Sequence, residues 1–209
     1  MFMSRPLPPE AITAIDATST FAPAPQLVEW ARATFINEDA KLFNPDHFHL
    51  NSASLGILWT NVSNTRKGRS IIGQCEEGKP SGMMGKWGKA RAEEQIVGWF
   101  GTIPDFIITI DALYAVECSD AEFCALIEHE LYHAAQERDP FGAPKFSKST
   151  GMPIFTLRGH DVEEFVGVVR RYGADATQIR ALVDAANAGP EIANVRIANA
   201  CGTCQLRAA

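Results

Sequence analysis

The sequence predicts an α+β protein in which a small mixed or antiparallel sheet packs on helices. Two runs typical of strands follow a short amphipathic helix, and a further strand rich in β-branched residues leads into a capped helix. The chain has 209 residues, of which 46% are hydrophobic and 21% charged. This apolar content suffices for one folded domain and excludes extensive disorder.

The N-terminal half contains one predicted helix and two predicted strands. We expect a poorly ordered arm over residues 1–24, because its prolines remove amide donors and disfavour helix. Residues 26–36 place apolar side chains at helical spacing, which predicts a helix. Residues 54–60 and 69–76 have the composition of strands, and the polar segment 61–68 predicts a hairpin loop between them.

The middle of the chain alternates helix, strand and helix. Residues 87–100 favour a helix, and residues 105–111 favour an apolar strand, which we expect at the edge of the sheet. Ser119 followed by Glu122 is a capping-box pattern, so a second helix is predicted to begin there and to continue to about Glu137.

The C-terminal part is predicted to hold a loop, two helices and a tail. Prolines and glycines indicate a loop, expected to act as a lid, over 139–159. Helices are predicted from 160 to 173 and from 175 to 188. The single domain would therefore span residues 25–188, and a tail would occupy residues 189–209.

Charge and cysteine content limit the partners and the compartment. The net charge of −6 does not favour nucleic-acid binding, and no apolar run reaches the length of a membrane span. The N-terminus lacks signal-peptide features, so we expect a cytoplasmic protein whose five cysteines are reduced. Cys201 and Cys204 form a CxxC pair that could serve as a second metal site or a redox pair. His47 and His49 are interpreted as surface residues.

The segment His129-Glu-Leu-Tyr-His133 matches the HExxH pattern and lies within the capped helix. Residues four apart share a helix face, so both imidazoles can reach one zinc ion, which accepts neutral nitrogen ligands. The carboxylate of Glu130 can accept a proton from the attacking water and return it to a leaving amine. The pattern therefore indicates peptide hydrolysis with one catalytic Zn²⁺.

Zinc needs a third protein ligand, and the segment after Gly159 offers three candidates: His160, Glu163 and Glu164. Carboxylates near a helix N-terminus are explained by the helix dipole alone, whereas a histidine there is not. This favours His160, and Glu164 or Glu163 stay open as alternatives.

The HExxH segment together with Gly159-His-Asp-Val-Glu-Glu-Phe165 resembles the putative phage metallopeptidase family, and it is distantly similar to SprT-like zinc metallopeptidases. The resemblance implies a zincin-like, SprT-like fold and an origin in a phage or prophage. It also implies metal ligands at His129, His133 and His160, with Glu130 as the catalytic glutamate. Asp161 and the late position of Phe165 depart from the SprT pattern, so Glu164 and Glu163 remain alternatives.

The predicted function is a zinc-dependent peptidase that acts on a peptide or protein, and cleavage of a repressor, as in ImmA-like peptidases, is one version of it. The alternative is a non-catalytic protein- or DNA-binding module that retains a structural zinc. A purely structural site has no use for Glu130, which favours the enzyme.

Overall fold

The structure is a computed structural model that describes residues 4–18, 20–66, 69–80, 82–162, 166–174 and 179–192. The described residues fall into two compact units, the first extending to Arg158 and the second beginning at Gly159. Helices and small sheets occur together, which confirms the predicted α+β class. The division into one domain with an arm and a tail stays a prediction.

The helices, in chain order, are α1 (Glu10–Thr13), α2 (Pro25–Ala31), α3 (Gly85–Phe100), α4 (Ala112–Glu117), α5 (Asp120–His133), α6 (Val166–Tyr172) and α7 (Arg180–Ala188). A π-helical turn over Arg32–Ile36 continues α2, and 3-10 helices cover Pro45–Ser52 and Gly82–Met84. The strands are β1 (Phe21–Pro23), β2 (Leu55–Thr60), β3 (Asn64–Arg66), β4 (Arg69–Ile71), β5 (Gly73–Glu77), β6 (Phe106–Asp111), β7 (Ala134–Gln136) and β8 (Phe155–Leu157).

Four strands form a mixed sheet in the order β1-β2-β6-β5. β2 runs parallel to β6, whereas β1 and β5 lie antiparallel to their neighbours. The expectation that the strand at 105–111 lies at an edge is wrong, because β6 pairs on both sides. The edge strand nearer to α5 is β5. β2 and β5 are also not partners in a hairpin, since β6 lies between them and the link carries its own small β3-β4 ribbon.

Alternate side chains of the two central strands enter different hydrophobic clusters. On β2, Ile57 and Trp59 join the large core with α2 and α5, while Leu58 joins a smaller cluster with Ile96 of α3. β6 divides in the same way, and only Ile107 of its isoleucines faces the smaller cluster. Successive side chains of a strand point to opposite faces of the sheet, so a strand that is apolar on both faces contributes to two clusters.

The N-terminal segment carries a short helix and a strand that contact the rest of the first unit. Ile12 of α1 is buried, and β1 pairs with the end of β2. The guanidinium group of Arg5 donates hydrogen bonds to the backbone carbonyls of Ala115 and Cys118 and to the carboxylate of Asp120. These contacts are distant in sequence, so the local proline pattern does not predict them.

Helix α5 begins as predicted and ends earlier than predicted. Ser119 and Glu122 form the expected capping box. The helix ends at His133 rather than near Glu137, because residues 134–136 leave the helix and pair antiparallel with β8. The segment predicted as a loop over 139–159 therefore contains a strand.

The second unit contains α6 and α7 among its described residues. Residues 160–162 are not helical, so His160 does not start a helix as predicted. Glu163, Glu164, Cys201 and Cys204 lie outside the described residues. Within the described ranges, Cys75, Cys118 and Cys124 are free cysteines. No helix in the described ranges is long and apolar enough to cross a membrane.

The capping box gives a direct stability prediction. We expect Ser119→Ala to lower the free energy of unfolding by about 1 kcal/mol, because the backbone amide of Glu122 at the start of α5 loses its acceptor. Chemical denaturation measures this change. Ser70→Ala, an exposed serine on β4, is the control and should change stability by less than about 0.5 kcal/mol. An equal loss in both variants would contradict the role of the cap.

Candidate metal centre

The last turns of α5 bring two imidazoles together in an edge-to-face arrangement. The Nε2 atoms of His129 and His133 are 3.3 Å apart, and their rings are nearly perpendicular at 77°. Both side chains are half-buried. The spacing of four residues therefore produces the shared face that the sequence predicts.

The backbone of Arg158 holds His133 from the other side. The Nδ1 atom of His133 lies 2.7 Å from the carbonyl oxygen of Arg158, and the Arg158 amide donates to the His133 carbonyl at 2.9 Å. When Nδ1 carries the proton, it donates to that carbonyl and leaves the Nε2 lone pair available to a metal. The local sequence contains no signal for this contact, since it depends on β7 pairing with β8.

The two imidazoles fit a zinc ion. In a tetrahedral shell with Zn–N distances near 2.0–2.1 Å, two nitrogen ligands lie about 3.3 Å from each other. The observed Nε2–Nε2 distance is 3.3 Å, so neither ring has to move far to share one ion. His160, the third predicted ligand, belongs to the second unit, and its part in the site stays a prediction.

The side chain of Glu130 is fully buried beside β5. Neither of its carboxylate oxygens has a hydrogen-bond partner among the described residues. Burial raises the pKa of Glu130 to about 8, and the backbone of Cys75 partly opposes this rise. A buried carboxyl without a partner is costly, so its presence next to His129 indicates a function other than stability.

A polar network that the sequence did not reveal lies on another face of α5. The Asn44 side chain donates to Glu128 at 2.8 Å and to the Tyr132 hydroxyl at 2.9 Å, and that hydroxyl donates to Asp46. These contacts join the 3-10 helix near residue 45 to the helix that carries the histidines. The polar turn around Asn44 was visible in the sequence, but its partners are more than eighty residues away.

The interpretation of His47 and His49 as surface residues is wrong. His47 is fully buried, and its ring packs edge-on against Tyr132 with 4.6 Å between the ring centroids. His49 is half-buried, with Nε2 2.8 Å from the Ala134 carbonyl. The aromatic partner lies on α5, so the sequence around residue 47 does not report the burial.

These features define an α+β protein with a histidine group that can bind a metal ion. The family model described as putative phage metallopeptidase matches residues 28–187, which covers most of the chain. The chain therefore belongs to that family, and the resemblance seen in its motif is confirmed. Neither the curated proteins nor the solved structures contain a significant match.

Buried His47 predicts a pH effect on stability. Burial, and secondarily His49, lowers the pKa of His47 to about 4, whereas an unfolded histidine titrates near 6.5. Between these values the unfolded chain binds more protons, so stability falls as the pH drops from 6.5 to 4. We expect His47→Gln to reduce the slope of unfolding free energy in this window by up to about 1.4 kcal/mol per pH unit.

Denaturant titrations at a series of pH values measure that slope. Lys86 is exposed and serves as the control position. Lys86→Gln should leave the slope unchanged, because a lysine side chain does not titrate between pH 4 and 6.5. An unchanged slope in His47→Gln would show that His47 is protonated equally in both states.

Proposed function

We propose that the protein is a zinc-dependent peptidase in which His129, His133 and His160 hold one Zn²⁺ and Glu130 is the general base. The observation that carries the proposal is the facing pair of Nε2 atoms, 3.3 Å apart, on the helix that also buries the Glu130 carboxyl. Membership of a metallopeptidase family supports a peptide or protein as substrate. The proposal includes an origin in a phage or prophage and activity in the cytoplasm of the host.

The chain's own residues prepare the site for hydrolysis. Zinc, when bound, would polarise the scissile carbonyl and lower the pKa of water and of nearby carboxyls. His133 stays oriented because the Arg158 carbonyl accepts a hydrogen bond from its Nδ1. Glu130, in its ionised form, accepts a proton from the attacking water and then transfers it to the leaving amine.

A structural zinc on a non-catalytic module is the alternative function. Structural zinc sites are closed by four protein ligands and need no base. The described part of α5 supplies two facing histidine nitrogens and, between them in the sequence, a buried carboxyl without a hydrogen-bond partner. This donor set supports the catalytic proposal better than the structural one.

The role of Glu130 is tested by Glu130→Gln. We expect turnover of an unstructured protein such as casein to fall by roughly 1,000-fold, because the amide cannot accept the proton. Zinc content after gel filtration should equal that of the unaltered protein. Glu128→Gln is the matched control, since Glu128 lies on the same helix but bonds to Asn44. Cleavage by Glu130→Gln at the unaltered rate would refute the mechanism.

The third ligand is tested by zinc affinity. We expect His160→Ala to weaken zinc binding by roughly 100-fold or more, since even the loss of a supporting partner weakens metal sites by 10–100-fold. Glu163→Gln and Glu164→Gln should each change the affinity by less than about threefold, because neither amide removes a ligand in this assignment. Competition with a chromogenic chelator measures all three. A large loss in either glutamine variant, with none in His160→Ala, would reassign the ligand.

A further inference from the structure

Gly73 lies directly against the carboxyl group of Glu130. It is the first residue of β5, is buried and pairs with Ile110 of β6. A Cβ atom added at this glycine would lie 2.7 Å from Oε1 of Glu130 and 2.9 Å from a terminal methyl of Leu126. It would also lie 3.1 Å from the carboxyl carbon. Cβ contacts below 3.0 Å essentially do not occur in proteins, so any side chain here forces a displacement.

The backbone conformation does not explain this glycine. Gly73 is absent from the glycines with positive φ, and it lies in a paired strand where other residues are accommodated. A glycine in a strand lacks packing contacts and loses conformational entropy on folding. The missing side chain is therefore accounted for by the space that Glu130 and Leu126 occupy.

Both neighbours present the ends of side chains, and both side chains are fully buried. The shorter contact is to the Glu130 carboxyl, whose oxygens have no hydrogen-bond partner among the described residues that would oppose a displacement. A methyl group at position 73 would therefore displace that carboxyl, with or without a change of the Leu126 rotamer.

We propose that Gly73 is a positioning residue, whose lack of a side chain keeps the Glu130 carboxyl in a slot between α5 and β5. The proposal rests on the proposed function for its catalytic consequence, because Glu130 is the group that exchanges the proton. In this proposal β5, the edge strand, helps to place the catalytic base Glu130 by leaving space for its carboxyl group. No contact between Gly73 and the substrate is required.

Gly56 provides a matched control within the same sheet. It lies in β2, is buried, and a Cβ added there would lie 2.7 Å from the Phe100 ring. Gly56→Ala therefore introduces the same methyl group with an equally short contact, but against an aromatic ring on α3 instead of Glu130. A general loss of packing in the sheet would affect both variants alike.

The kinetic test compares the two alanine variants of the zinc-loaded protein. We expect Gly73→Ala to lower kcat by about tenfold or more, because a displacement of about 1 Å at a catalytic group has effects of this size or larger. KM and zinc affinity should stay within about threefold, since neither histidine is touched. Gly56→Ala should retain the kcat of the unaltered protein. Unchanged kcat in Gly73→Ala, or loss of its zinc, would overturn the proposal.

A stability cycle on the metal-free protein tests the contact without any activity. We expect Gly73→Ala to raise the unfolding equilibrium constant by about tenfold when Glu130 is present, and by less than about threefold in a Glu130→Ala background. Equal effects in the two backgrounds would show that Gly73 does not act through Glu130. If Gly73→Ala alone does not fold, folding of the double variant supports the contact and its failure to fold overturns it.

The two proposals fail in distinguishable ways. Activity retained by Glu130→Gln would refute the proposed function, and the stability cycle would still decide the contact of Gly73 with Glu130. Activity lost in Glu130→Gln, combined with additive effects in the cycle, would leave the peptidase intact and remove only the role of Gly73.

Discussion

The packing of α5 against the sheet is the constraint on which the candidate site depends. One face of this helix contributes Phe123, Leu126, Ile127 and Leu131 to the large core, and all four side chains are fully buried. These contacts fix the rotation of the helix about its axis. His129 and His133 then lie together on a less buried face, and Glu130 is directed toward β5. The core therefore determines the direction of each functional side chain.

The end of α5 is set by a second, non-local constraint. β7 follows the helix without a linker and pairs with β8, so the hydrogen bonds between His133 and Arg158 continue the pattern of the ribbon. One of these bonds uses the His133 imidazole in place of a backbone group. The ribbon thereby links the orientation of a ligand to the folding of a segment more than twenty residues further along the chain.

The parts of this arrangement that were predictable from sequence are those that depend on local spacing. Ser119 and Glu122 mark the start of α5 because a capping box involves residues only three apart. The positions of His129, Glu130 and His133 on one helix follow from the helical period in the same way. The class of fold followed from the number and type of such segments.

The parts that could not be predicted depend on contacts between distant segments. Strand order is one, since the pattern of β6 fits an edge or a central position until its two partners are known. The burial of His47 depends on Tyr132, and the end of α5 depends on β8. Gly73 resembled any strand glycine, because the carboxyl that needs its space is more than fifty residues away. A local sequence pattern therefore predicts contacts between residues that are close in the chain, but not contacts between distant segments.

His47 and Glu130 show why burial of an ionisable group does not by itself identify a site. Both side chains are fully buried, and neither has a hydrogen bond among the described residues. Leaving such a group without a hydrogen bond costs roughly 1–3 kcal/mol, so each weakens the fold. His47 offsets this with an aromatic contact to Tyr132, and it lies beside Glu128 on another face of α5. Glu130 follows a metal-ligand candidate in the sequence and occupies space that a glycine leaves open. The combination of an uncompensated group with space reserved for it, rather than burial alone, distinguishes a reactive carboxyl from a tolerated core residue.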